Sequence, residues 1–138
     1  MNKQTLLSTL WVFLSVNYIF CDVFTLMYSE ELQKIIAGKA GEIEITQSFL
    51  LVSAIIMEMS MIMILLSRLL KFQLNKWLNI VIPLLLLCFQ AGSLIVDTNT
   101  LHYWFFSIIE IVTCISIFLI ALGWKNPRKS VKSALSAF

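Results

Sequence analysis

The chain has 138 residues, of which 59% are hydrophobic and only 13% charged, with a mean hydropathy of +0.90. Soluble domains carry about 25% charged residues, so this composition excludes a water-solvated globule and makes lipid the solvent. A net charge of +2 is too small to imply a nucleic-acid partner.

Four apolar runs approach the ~20 residues that a ~30 Å hydrocarbon core requires of a helix. The first covers residues 5–27. Tyr28-Ser29-Glu30 offers no small-x-small cleavage site after it, so the run is expected to be a permanent anchor rather than a signal peptide. In the loop that follows, Ser29 is placed to cap a short surface helix with Glu30 and Glu31 in its first turn, and Gly38 is a natural stop. The second run covers residues 46–70, the third 77–96 and the fourth 101–124. The links between the last three are very short, which forces antiparallel hairpins. The expected fold is all-α: a polytopic membrane protein, an antiparallel four-helix transmembrane bundle with a short extracytoplasmic surface helix. Residues 1–126 form the transmembrane domain. Residues 127–138 are expected to be a basic, mobile cytoplasmic tail.

Orientation follows from the basic residues. Lys3 precedes the first run, Arg68, Lys71 and Lys76 surround the second link, and Lys125, Arg128, Lys129 and Lys132 follow the fourth run. The loop at 97–100 has no Lys or Arg, and the two lysines of the first loop stand among four glutamates. The positive-inside rule then puts both termini and the Lys71–Lys76 link in the cytoplasm, with Arg68, Lys71 and Lys76 as a basic rim. A plasma (inner) membrane location is expected.

Ionisable groups inside spans are costly and each asks for a reason. Glu58 and Glu110 fall near the midpoints of the second and fourth runs. Asp22 lies about 7 Å above Asn17 in the first, at ~1.5 Å per residue, and Gln90 lies at similar height in the third. Each span thus contributes a polar group to a belt at or above the midplane. Helical spacing groups Tyr103, Ser107, Glu110 and Cys114 on one face, Asn79, Pro83, Gln90 and Ser93 on another, Ser15, Tyr18, Asp22 and Thr25 on a third, and Gln47 with Glu58, about three turns apart, on a fourth. These stripes are expected to point into the bundle as a seam open toward the outer face. Asn17, Tyr18, Asp22, Glu58, Gln90, Ser107 and Glu110 are the candidate ligand- or proton-binding residues. No cation lies at their depth, since Arg68 is ~15 Å below Glu58. The acids therefore stay protonated, bond to neighbouring amides and hydroxyls, or hold an incoming cation.

Cys21, Cys88 and Cys114 stand singly in apolar runs with no paired spacing, which suits core residues rather than a disulfide or metal site. Met57, Met59, Met61 and Met63 alternate and so spread around the helix, giving no one-sided metal ladder. No metal and no cofactor is implied.

Several stretches carry a resemblance as a set: Asn17-Tyr18-Ile19-Phe20-Cys21-Asp22, Met57-Glu58-Met59, Leu66-Ser67-Arg68, Asn75-Lys76-Trp77-Leu78-Asn79 and Phe105-Phe106-Ser107-Ile108-Ile109-Glu110. Together they resemble a prokaryotic family of small four-span membrane proteins, a domain of unknown function (number 6326), from about Leu6 to Trp124. The resemblance implies a compact four-helix membrane domain and supplies no activity.

Two functions fit the residues. A protonatable carboxylate near the midplane suits a proton-linked transporter or a small-ligand-binding membrane protein, taking a cationic or polar ligand. The alternative is a structural or accessory subunit, self-associating as a dimer or joining a membrane-protein partner, with the belt as interhelical glue. With no zinc motif, no Glu-x-x-His pair and one histidine, an enzyme is the weakest reading.

Overall fold

The computed structural model describes residues 2–96 and 100–125. In order these form helix α1 (Lys3–Met27), the short helix α2 (Ser29–Ile36), strands β1 (Lys39–Ala40) and β2 (Ile43–Glu44), and helices α3 (Gln47–Leu69), α4 (Phe72–Val96) and α5 (Leu101–Leu122). Helices α1, α3, α4 and α5 are long and apolar enough to cross a membrane. Hydrocarbon offers no hydrogen bonds, so each such segment must satisfy its backbone internally, as a helix does. The fold is the expected antiparallel four-helix bundle, with α2 and a small hairpin between its first two spans. The tail at 127–138 lies outside the described residues.

Local side chains set the helix starts. The Asn2 side-chain oxygen accepts the Gln4 N–H at 3.3 Å, and Thr46 Oγ1 accepts the Phe49 N–H at 3.1 Å. Each satisfies a donor that a helix N-terminus leaves orphaned. Helix α4 begins at Phe72 rather than at residue 77, so the link to α3 shrinks to a tight turn. The polar residues expected in that link are helical because the bundle supplies their partners: Asn75 turns inward, and Lys76 reaches the end of α5. Pro83 sits inside α4, which continues through it. Having no N–H, it returns no bond to the Asn79 carbonyl one turn back.

Helix α2 forms where expected but starts differently. Tyr28 occupies the cap position and Ser29 is already helical, with no side-chain cap. Tyr28 Oη donates instead to Glu30 Oε2 at 3.0 Å. That bond, with the charge of Glu30, holds the phenol above the ordinary tyrosine range. Glu31 pairs with Lys34 at 2.8 Å. The hairpin was not foreseen. Gly38 (φ 80°) turns the chain into it, and Gly41 (φ 60°) takes the first position of its two-residue loop. Lys39 then lies opposite Glu44 and Ala40 opposite Ile43. Strands of two residues are too short to leave a periodic signal.

In the bundle, α1 packs along both α3 and α5, and α5 along α4, while α3 meets α4 over a smaller interface. Helices α1 and α4 therefore face each other across a diagonal. Cross-helix bonds fix the antiparallel directions. Ser8 Oγ donates to the Ile64 carbonyl at 2.9 Å, Ser15 meets Ser60 at 3.1 Å, and Lys76 Nζ donates to the Leu122 carbonyl at 3.0 Å. Leu7, Trp11, Leu14, Met63, Leu86, Cys114 and Ile117 form the core, closed by Trp124. Phe72 stands edge-on to Trp124 at 5.2 Å.

Four crossings put the hairpin and the α3–α4 turn at opposite ends. Single cysteines at Gly41 and Lys71 are therefore expected to react with an impermeant maleimide from opposite sides of the membrane, and one at Lys125 from the Lys71 side. Labelling of 41 and 71 from the same side would contradict the fold.

Candidate functional site

Buried polar side chains fall into two layers. The upper one contains four of the predicted belt residues. Asn17 Nδ2 on α1 donates to Glu110 Oε1 at 3.1 Å and to the Phe106 carbonyl at 3.3 Å, both on α5. On the next pair of helices, Gln90 Nε2 of α4 donates to Ser107 Oγ of α5 at 2.7 Å. One turn higher, Ser93 Oγ and Tyr103 Oη are 2.7 Å apart. Asn17, Gln90, Ser107 and Glu110 are all buried. The i, i+3 spacing of Ser107 and Glu110 lets one face of α5 serve two neighbours at once. Tyr18 is half-buried and packs against the apolar core.

The lower layer was largely missed in the sequence. Asn79 is its hub. Its side-chain oxygen accepts the Trp11 indole N–H at 2.7 Å, across the α1–α4 diagonal, and the Ser67 hydroxyl at 3.3 Å. Its amide nitrogen donates to Asn75 Oδ1 at 2.7 Å and to the Asn75 carbonyl at 2.9 Å. Asn75 Nδ2 in turn donates to the Ser67 carbonyl at 2.7 Å. Nearby, Arg68 Nε donates to Ser8 Oγ at 3.0 Å. Signals existed in the Asn75/Asn79 spacing of four and in Ser8, Ser15, Ser60 and Ser67. Helical spacing puts Asn79 and Ser15 on inward stripes, but it links each to the upper belt on its own helix and not to a second layer across helices.

The basic rim is partly spent on the fold. Lys76 Nζ donates to the Leu122 and Trp124 carbonyls at 3.0 and 2.9 Å, and Lys3 Nζ donates to the Gly123 carbonyl at 2.9 Å. Both ammonium groups neutralise the negative end of the α5 dipole. Lys71 is exposed in the turn.

Two predicted belt residues do not join the seam. Asp22 is exposed near the other end of α1, above Glu110, and accepts no hydrogen bond among the described residues. Glu58 departs further. The inward face of α3 carries Ser60, Met63 and Ser67, and at 100° per residue Glu58 points to the opposite side of the helix. Its carboxyl is exposed with no partner among the described residues. The expectation that every polar stripe faces inward is corrected at this position. Gln47 and Glu58 do share a face, as their spacing implied, but that face is the outer one. A charged carboxylate at the centre of a lipid-facing helix costs roughly 2.5–3.5 kcal/mol on insertion scales.

Within the upper layer the amide nitrogens of Asn17 and Gln90 and one oxygen of Glu110 are hydrogen-bonded. No fully buried side-chain nitrogen or oxygen among the described residues lacks a hydrogen-bond partner. No group of three or more His, Cys, Asp or Glu among the described residues could hold a metal ion. A depression of about 350 Å³ lies at the end of the bundle among Asn2, Lys3, Gly123, Trp124 and Lys125, away from the belt.

The two layers predict different sensitivities. Asn79→Leu strands the Trp11 N–H, the Ser67 hydroxyl and Asn75 Oδ1, so it is expected to cost about 2 kcal/mol and to lower Tm in detergent by several degrees. Glu110→Gln keeps an oxygen for Asn17 and is expected to cost less than Glu110→Leu. Thermal unfolding followed by tryptophan fluorescence measures both; an Asn79→Leu protein as stable as wild type would refute the hub.

No curated protein and no solved structure matches the chain. Over residues 1–131 it matches the family described as "Family of unknown function (DUF6326)", and with nearly its whole length covered the chain belongs to that family.

Proposed function

We propose that the chain is a structural or accessory subunit of a membrane assembly, in which the buried polar groups fix the helices against one another. The observation that carries this reading is that no fully buried side-chain nitrogen or oxygen among the described residues lacks a hydrogen-bond partner. A solute site needs donors or acceptors left open for the solute, and an alternating-access site needs a cavity to open from. Paired amides and hydroxyls at this density instead act as packing determinants, each contributing about 0.6 kcal/mol on average.

In this reading the protein sits in the plasma membrane with both termini cytoplasmic. The end carrying Lys3, Arg68, Lys71, Lys76 and Lys125 holds none of the acids among the described residues and would face the anionic inner leaflet. The apolar side of α2 would rest on the outer leaflet.

A second reading has one observation behind it. Asp22 is exposed on α1 above the level of Glu110, with no hydrogen bond among the described residues. A cation or proton could pass from Asp22 to Glu110, as a proton-linked transporter would require.

Reconstitution separates the two. Proteoliposomes holding the wild-type chain under an imposed pH gradient are expected to show no more proton flux than empty vesicles, and Glu110→Gln is expected to lower thermal stability without altering that baseline. A flux that disappears in Glu110→Gln or Asp22→Asn would overturn the structural reading in favour of transport.

A further inference from the structure

Of the four spans α3 is the least buried, and the surface it leaves uncovered has a pattern. Glu58 is the central residue of α3 and lies on that surface. Leu51, Ile55, Ile62, Leu65 and Leu69 are exposed with it. Taken together, residues 51, 55, 58, 62, 65 and 69 follow one another at alternating intervals of four and three. That is the spacing of a coiled-coil seam, in which side chains repeat every ~3.5 residues.

The residue types fit the positions. Ile55, Ile62 and Leu69 fall at one position of the heptad (a), and Leu51, Glu58 and Leu65 at the other (d). Branched isoleucine at a with leucine at d favours two parallel strands, and one polar residue in such a seam sets register and strand number. Ala54, exposed on the flank one turn from Glu58, leaves room for a second backbone to approach.

We propose that this face of α3 is the interface between two copies of the chain, packed in parallel with Glu58 opposite its counterpart. Copies inserted the same way are related by a two-fold axis along the membrane normal, so every residue on the axis meets itself at its own depth. A protonated carboxyl is complementary to its own copy: each O–H donates to the other's carbonyl oxygen. No cation is needed, and no Lys or Arg among the described residues lies in the central turns of α3. The proposal rests on the structural reading only in giving the exposed carboxyl a protein partner. The flux assay above and the experiment below fail separately.

The test uses the full chain in native membranes, with Cys21, Cys88 and Cys114 changed to alanine. Under mild oxidation, Leu51→Cys, Ile55→Cys, Ile62→Cys and Leu65→Cys are expected to give disulfide-linked dimers. Ser53→Cys, Ser60→Cys and Ser67→Cys, on the inward face, are not. In liposomes diluted with lipid, Glu58→Leu is expected to weaken dimerisation roughly 3- to 30-fold, measured by energy transfer between labelled copies. Glu58→Gln, whose amide is also self-complementary, recovers most of that loss. Because Glu58 makes no hydrogen bond or ion pair among the described residues, the monomer's Tm is expected to be unchanged in both. Absence of cross-linking, cross-linking without the four–three period, or dimerisation indifferent to Glu58→Leu would each overturn the proposal, as would capture of a different chain at these positions in place of the second copy.

Discussion

The hydrogen bond from the Trp11 indole to Asn79, at 2.7 Å, is the contact on which the arrangement of the helices turns. In hydrocarbon an apolar side chain gains little by choosing a helix over a lipid tail, so leucines and isoleucines do not fix how a span is rotated. An asparagine does, because its amide has no partner in lipid. Asn79 bonds to Trp11 on α1, to Ser67 on α3 and to Asn75 on its own helix. Once these three are made, α1, α3 and α4 have no freedom to rotate, and the apolar core closes between them.

The upper layer then adds α5. Asn17 and Gln90 occupy different helices, yet both bond to α5, at Glu110 and Ser107. Glu110 is thus a fixed acceptor within an antiparallel seam, which is why its chemistry is read as architecture. Glu58 poses a different problem. It stands on the outside of the same bundle, where no internal bond can answer it, and its cost must be met by whatever lies beyond the monomer.

Most of the fold was legible because span length and charge bias are long-range properties of the chain. The helices fall close to the expected runs, and α2 lies where Glu30, Glu31 and Gly38 suggested. The start of α4 was misplaced because Lys71, Gln73, Asn75 and Lys76 look like a link when their partners, Ser67 and the end of α5, are unknown. The upper site was legible in Asn17, Gln90, Ser107 and Glu110, since depth along a helix can be counted. Direction was harder. For Glu58 the spacing gave its relation to Gln47 correctly, but the costlier acid drew the inward assignment away from the weakly polar Ser53, Ser60 and Ser67, whose spacing of seven marks the side that meets α1. The lower layer escaped for a related reason: Trp11 looks like a core aromatic until Asn79 is seen across the diagonal.

Lys3, Asn17, Lys76 and Gln90 all find partners on α5 or just beyond it, and α5 is synthesised after every other span. The bonds among Trp11, Ser67, Asn75 and Asn79 can form as soon as α4 has entered the bilayer. The amides of Asn17 and Gln90 cannot be answered until α5 follows. At about 5–20 residues per second, the stretch from residue 97 to 122 occupies the ribosome for roughly 1 to 5 seconds. During that interval the side-chain amides of Asn17 and Gln90 are without the α5 partners that Glu110 and Ser107 later supply.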